Sequence, residues 1–217
     1  MSAAVPVPRQ APAAPRAAAI AGVVFAALCV VSLVIIRLAV PANPTELGTL
    51  PTDPASRNSV RLALNLVPFA GIAFLWFIGV LRNHIGPLED QFFATVMLGS
   101  GLLFLAALFG AAALAGGLLE SFAAGVGQAP SEIYSFGRAT SHTLVNVFAI
   151  KMAGVFMITV STLGLRTAIM PRWVAFIGYA FAGVLLAIIT SFEWIALLFP
   201  LWVLLLSAYI LVSDFRK

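Results

Sequence analysis

The stretch VMLGSGLLFLAALFGAAALAGG, residues 96–117, contains no charged side chain. A helix needs about 20 apolar residues to cross roughly 30 Å of hydrocarbon, so this stretch predicts a transmembrane helix. The whole chain has a similar character, because 62% of its 217 residues are hydrophobic and 9% are charged. Soluble domains average about 45–50% apolar and about 25% charged residues. The sequence therefore predicts an all-α, polytopic membrane protein without a sizeable soluble domain.

Further apolar runs on both sides of this stretch predict a bundle of six transmembrane helices. Residues 1–16 are rich in alanine and proline and predict a disordered tail, and residues 17–217 predict a single transmembrane domain. The first apolar run is longer than the 7–15 residues of a signal-peptide core, so we expect it to be retained. The spans are expected at about 17–40, 60–82, 91–119, 142–165, 173–190 and 193–213.

The distribution of basic residues predicts the orientation of the bundle. With an even number of spans both termini lie on one side, and cytoplasmic loops carry the excess of lysine and arginine. The side of the termini holds Arg9, Arg16, Arg82, Arg166, Arg172, Arg216 and Lys217, whereas the other side holds Arg37, Arg57, Arg61 and Arg138. The ratio of seven to four predicts that both termini are cytoplasmic.

The third span carries small residues at four-residue spacing. The pairs are Ala106/Gly110, Ala112/Gly116 and Ala113/Gly117. In a membrane the hydrophobic effect does not drive helices together, and small residues favour their association by letting the backbones approach closely. We therefore expect the third helix at the bundle centre, with Ala106, Gly110 and Ala113 in contact with other helices.

One lysine, Lys151, interrupts the apolar stretch VNVFAIKMAGVF, residues 145–156. A charge near the middle of a bilayer costs at least about 2.5–3.5 kcal/mol and is by default a functional hypothesis. Lys151 shares a helix face with Gly154 and Thr162, which predicts that it points into the bundle. Two alternatives stay open. The lysine has a structural role, by pairing or by reaching the outer headgroups, or it binds a substrate or an ion.

Lys151 and its expected partners form a candidate polar binding cluster. Its members are Asn65, Asn146, Lys151 and Glu193, and Glu193 is the expected partner of the lysine. Pro68 and Pro200 are expected to kink the second and sixth spans and to free the carbonyls of Leu64 and Ala196 as further acceptors.

The sequence lacks the residues that several classes of function require. The histidines, His84 and His142, fall at opposite membrane faces, so we expect no metal site and no cofactor. No nucleophile elbow, zinc-protease helix, phosphate loop or dinucleotide motif occurs, and we expect no catalytic residues. Cys29 is the single cysteine and is expected to be a core thiol. Basic residues are scattered, which excludes nucleic acid as a partner.

The chain resembles a family of small bacterial six-span membrane proteins catalogued as a domain of unknown function. The resemblance rests on AAAIAGVVFAALCVV at 17–31, on NSVRLALNLV at 58–67 and above all on GLRTAIMPRWVAFIGYAFAGVLL at 164–186. It implies six spans and a bacterial plasma membrane. It implies no reaction and no catalytic residues.

Three hypotheses about function follow. The first is a non-enzymatic accessory or scaffold protein, whose partners are the lipid bilayer and either another membrane protein or a second copy of the chain. The alternative is a small-solute transporter or permease with its polar site near Lys151. An intramembrane enzyme acting on lipid would need an acid/base set at one depth, and only Lys151 with Glu193 approaches one.

Overall fold

The computed structural model describes residues 14–39, 54–85, 91–123, 131–167, 170–187 and 194–215. These residues are almost entirely helical, and none of them forms a strand. The helices are α1 (Ala14–Ala39), α2 (Pro54–Ile85), α3 (Gln91–Ala123), α4 (Ser131–Thr143), α5 (Ile150–Thr167), α6 (Arg172–Ala187) and α7 (Leu198–Phe215). The predicted all-α class is confirmed.

Two short segments join or extend these helices. A π-helical segment, Leu144–Ala149, connects α4 to α5 without a break, so that one helical rod runs from Ser131 to Thr167. A 3₁₀ turn, Ile195–Leu197, leads into α7. The predicted fourth span, 142–165, is therefore the second part of a longer rod, and Ser131 begins it.

Five helical segments are long and apolar enough to cross a membrane. They are Arg16–Ile36, Pro54–Arg82, Gln91–Glu120, Ile133–Thr167 and Ile195–Ser213, and the shorter apolar helix Arg172–Ala187 accompanies them. The prediction of a membrane protein is confirmed at this level. The predicted tail lies outside the described residues, except for positions 14–16, which belong to the first turn of α1.

Contacts between helix ends show that consecutive segments run in opposite directions. The Arg61 guanidinium near the start of α2 lies 2.8 Å from the Glu120 carboxylate near the end of α3. At the opposite end of the bundle, Arg166 in the last turn of α5 lies over the ring of Phe93 in the first turn of α3. The α1 helix packs mainly on α2 and α7, and α5 packs mainly on α6 and α3.

The centre of the bundle is a cluster of phenylalanine rings, one from each of five helices. Phe74 of α2 is fully buried, and its ring centroid lies 4.6 Å from that of Phe25, 5.2 Å from Phe156 and 5.4 Å from Phe104. Phe199 of α7 closes the cluster, 4.8 Å from Phe104. Tilted and edge-to-face rings gain about 0.5–1.5 kcal/mol per pair beyond burial, so this cluster holds five helices together.

The prediction that α3 is the most enclosed helix is wrong. Only 28% of its span is buried, against 50% for the span Ile133–Thr167. Ala106 and Ala113 are exposed, and Gly110 is partly buried beside Leu144. The buried face of α3 carries larger side chains such as Met97, Phe104 and Leu108. Those side chains pack into the core, whereas Ala106 and Ala113 lie on the exposed side of the helix.

The prediction for Pro200 also needs correction. Pro68 lies inside α2, as expected. Pro200, however, is in the first turn of α7, because α7 begins at Leu198. The first N–H groups of a helix have no intrahelical partner, and proline is tolerated there. Pro200 therefore does not interrupt α7.

Replacing Phe74 by alanine should lower the free energy of unfolding by about 3–5 kcal/mol, because it removes the ring at the centre of the cluster and leaves a cavity. Denaturant titration of the purified protein in detergent micelles measures this change. The matched control is Phe69→Ala, since Phe69 lies on the same helix with 61% of its surface exposed. Equal effects of the two substitutions would contradict a central role for the aromatic cluster.

Candidate functional site: the α5–α6 seam

Lys151, the second residue of α5, reaches across to the C-terminal end of α6. Its Nζ donates hydrogen bonds to the backbone carbonyls of Leu185, at 3.0 Å, and of Leu186, at 2.5 Å. The described residues of α6 extend to Ala187, so these two carbonyls belong to its last described turn. The final carbonyls of a helix have no intrahelical N–H partner. The lysine therefore caps α6 from a neighbouring helix.

The capping position explains why a charge is tolerated in an apolar stretch. The C-terminal end of a helix carries a partial negative charge that favours a nearby cation. Hydrogen bonds from a charged donor contribute about 1.5–3 kcal/mol each, and Lys151 makes two of them to α6. That gain is of the same order as the roughly 2.5–3.5 kcal/mol that a lysine costs at the centre of a membrane helix.

The close approach of the two helices depends on a glycine one turn further along α5. A Cβ atom on Gly154 would lie 3.0 Å from Leu186 Cγ and 3.4 Å from the carbonyl oxygen of Ala182. The first distance is tighter than an ordinary van der Waals contact, so Leu186 would have to move to make room for a side chain. Gly154 thus allows α6 to lie near enough for the Lys151 ammonium to reach its carbonyls.

The polar contact continues toward the other end of the helix pair. The hydroxyls of Thr162 on α5 and Tyr179 on α6 are 2.8 Å apart. Lys151, Gly154 and Thr162 therefore all face α6, which confirms the prediction that they share a packed surface. We call this contact between the two helices the α5–α6 seam. It is formed by Lys151, Gly154, Ser161, Thr162, Gly164, Met170, Gly178, Tyr179, Leu185 and Leu186.

Of the other predicted site residues, Asn65 and Asn146 take separate positions. Asn65 is exposed on α2, because the buried face of that helix follows Ala63, Val67 and Ala70. Asn146 is buried in the π-helical segment, and its Nδ2 donates to the carbonyl of His142 on its own rod, at 3.0 Å. The interior cluster predicted from sequence does not include Asn65.

Glu193, the partner named for Lys151 from the sequence, lies outside the described residues. The described acceptors, the carbonyls of Leu185 and Leu186, were not among the expected ones. Backbone carbonyls have no sequence signal of their own, and only the shortness of the apolar run of α6 points to a helix end at that depth.

Sequence reasoning also missed a buried polar junction between α5, α6 and α7. The Ser161 hydroxyl and the Trp202 indole N–H both lie against Gly178 of α6. Both side chains are fully buried, and neither polar atom has a hydrogen-bond partner among the described residues. Gly178 provides the space in which these side chains of α5 and α7 meet.

A small apolar cavity lies near the capped end of α6. Leu185, whose carbonyl accepts from Lys151, lines it together with residues of four other helices and the π-helical segment, including Cys29, Phe104, Ile150 and Phe199. Its volume of about 20 Å³ accommodates about one water molecule. The cavity wall contributes almost no polar surface.

The described residues contain no group of three or more His, Cys, Asp or Glu side chains that could hold a metal ion.

Comparison of the chain with protein-family models, with curated proteins and with solved structures finds no match. The resemblance to the six-span family therefore stays a prediction from sequence. Chemically, the seam offers a fixed cation that binds the end of a helix.

Replacing Lys151 by methionine should lower the free energy of unfolding by about 1–3 kcal/mol, because the last carbonyls of α6 lose a charged donor. Lys151→Arg keeps a cation and should retain more of the stability. Unfolding in detergent micelles measures both variants. A Lys151→Met protein as stable as the unmodified chain would contradict the capping role, and Glu193→Gln shows whether the predicted carboxylate partner contributes.

Proposed function

We propose that this protein is a six-span, non-enzymatic membrane scaffold or accessory subunit with both termini in the cytoplasm. The observation that carries the proposal is how the interior is filled. Five phenylalanine rings pack at the centre. In the α5–α6 seam, Lys151 binds helix backbone, and Thr162 and Tyr179 bind one another. Interlocked rings and polar side chains engaged within the bundle support a structural role.

The antiparallel register of the seam supports six spans. Along α5, Gly154 lies opposite Leu186, Ser161 opposite Gly178, and Gly164 opposite Met170 just before α6. The α6 helix therefore covers the same depth as α5 over this contact, although its 16 residues span only about 24 Å. A helix that runs beside a membrane-spanning partner at equal depth crosses the bilayer with it.

The lengths of three helical segments support a surface outside the bilayer. The 32 residues of α2 and the 33 of α3 extend about 48 and 50 Å, and the 35 residues of Ile133–Thr167 extend about 52 Å. The hydrocarbon is only about 30 Å thick. We assign this excess helix length to the end of the bundle where Arg61 pairs with Glu120 and Leu118 packs on Gly137 of α4. This helical extension offers a surface on which a scaffold could bind another protein.

The alternative of a solute transporter has less support from the same contacts. Ligand pockets commonly have volumes of about 300–1,000 Å³ and combine apolar walls with a few polar groups. The cavity beside Leu185 has a volume of about 20 Å³, and its walls are apolar. The predicted polar cluster would also have to include Asn65, which is exposed on α2.

The basic residues support the proposed orientation. Arg16, Arg82, Arg166 and Arg172 occupy helix ends on one side of the bundle, and Arg57, Arg61 and Arg138 occupy the other. Cytoplasmic loops carry the excess of lysine and arginine, so the side with more basic residues is assigned to the cytoplasm. The resemblance noted in the sequence supports a bacterial plasma membrane as the location.

Fusion of alkaline phosphatase after Lys217 should give an inactive enzyme, because that fusion would remain in the cytoplasm. Fusion within the segment near Pro51 should give an active one. A cytoplasmic reporter protein at the same two sites is the control and should show the opposite pattern. High phosphatase activity at Lys217, with none near Pro51, would invert the proposed orientation.

Extraction of the protein together with its native lipid in polymer discs should recover either a second copy of the chain or the same membrane protein at a fixed ratio in repeated preparations. An unrelated six-span protein expressed at the same level is the control, and a reciprocal purification from the partner confirms the pair. A chain that is consistently monomeric and alone under these conditions would contradict the scaffold proposal.

A further inference from the structure

The turn between α5 and α6 brings two arginines to the same end of the bundle. Arg166 lies in the last turn of α5 and Arg172 begins α6, and both are exposed. Just before α6, Met170 is buried against Gly164 of α5, where a Cβ atom would collide with the methionine side chain. This contact holds the start of α6 beside the last turns of α5, which carry Arg166.

The start of α6 is also well defined. The carbonyl of Pro171 accepts hydrogen bonds from the backbone N–H groups of Val174, at 3.1 Å, and Ala175, at 3.4 Å. The N-terminal end of a helix carries a partial positive charge. It adds to the charge of Arg172 on the same turn, and the local field favours an anion.

Aromatic rings flank both arginines. The Arg166 guanidinium carbon lies 4.6 Å from the centroid of the Phe93 ring, a cation–π contact that fixes this side chain. Next to Arg172, Trp173 is exposed and makes an edge contact with Tyr209 of α7, with centroids 6.4 Å apart. Tryptophan and tyrosine concentrate at the level of the lipid headgroups, so the two arginines lie at the depth of lipid phosphates.

Other charges at this end keep the balance positive. Arg82 near the end of α2 and Arg16 at the start of α1 are exposed. The acidic residues that the sequence assigns to this end are Glu89 and Asp90 before α3 and Asp214 in the last turn of α7. Together with Arg9, Arg216 and Lys217, the basic residues outnumber these acids by seven to three.

We propose that Arg166 and Arg172 bind the phosphate of an anionic phospholipid from the surrounding membrane. Guanidinium groups form paired, charge-assisted hydrogen bonds with phosphate oxygens. One turn deeper, Phe176 is exposed on the same side of α6 as Arg172 and provides an apolar surface for an acyl chain. The site depends on Arg166, Arg172 and their aromatic neighbours and is independent of the proposed scaffold function.

The test is lipid retention by the full-length protein, measured by native mass spectrometry after release from detergent containing equal amounts of phosphatidylglycerol and phosphatidylcholine. The unmodified protein should retain phosphatidylglycerol in preference to phosphatidylcholine. The double variant Arg166→Gln/Arg172→Gln should retain it about tenfold less, as expected for the loss of charge-assisted bonds. Soluble glycerol phosphate, which lacks acyl chains, should not displace the lipid.

The matched control is Arg57→Gln/Arg138→Gln, which removes the same charge from the opposite end of the bundle. It should retain phosphatidylglycerol like the unmodified protein. If the Arg166→Gln/Arg172→Gln variant does not fold, Arg172→Gln alone replaces it in the test, because it changes only one exposed side chain. Equal loss in both double variants would show a general charge effect and overturn the proposal, as would unchanged retention in the Arg166/Arg172 variants. Displacement by glycerol phosphate would also overturn it, because the site would then bind free phosphate.

Discussion

Inside a membrane every backbone carbonyl must find a hydrogen-bond donor within the protein, because hydrocarbon offers none. Helices meet this requirement along their length and fail to meet it at their ends. The 16 described residues of α6 extend about 24 Å. The ammonium of Lys151 supplies donors for two carbonyls of the last described turn, and this contact joins α6 to α5.

The same requirement explains the other polar side chains in the spans. The hydroxyl of Thr159 donates to the carbonyl of Val155, and that of Ser100 donates to the carbonyl of Val96, each four residues earlier on its own helix. The Asn146 amide makes the equivalent contact with His142. These polar side chains thus bond to the backbone of their own helices, and together with the aromatic core they support the proposal of a structural role for the protein.

Helix association in the bundle uses two kinds of packing. Around Phe74, large rings from five helices interlock, and their contact area and geometry supply the attraction. Along the α5–α6 seam, Gly154 lies against Leu186 and the backbone of Ala182, as expected for small residues in membranes. On α3 the close contact is made by Gly101, where a Cβ atom would lie 2.6 Å from Ile78, and Ala106 and Ala113 are exposed.

Composition alone determined the class of this protein. The low charge and the repeated apolar runs leave few alternatives to a helical membrane bundle, because the bilayer sets both the length and the hydrogen bonding of each span. The helical periodicity of Lys151, Gly154 and Thr162 correctly predicted a shared face, since positions three and eleven residues along from a given residue recur on its side of a helix. Such local information needs no knowledge of the neighbouring helix.

Only the tertiary structure decided what that face contacts. The acceptors of Lys151 are main-chain carbonyls, which every residue carries, so no residue type identifies them in a sequence. The rotation of each helix about its axis was equally absent from the sequence. It places Asn65 and Ala106 outward and five phenylalanines inward. Packing of large side chains between helices sets this rotation, and the faces that meet lipid and those that meet protein have a similar apolar composition.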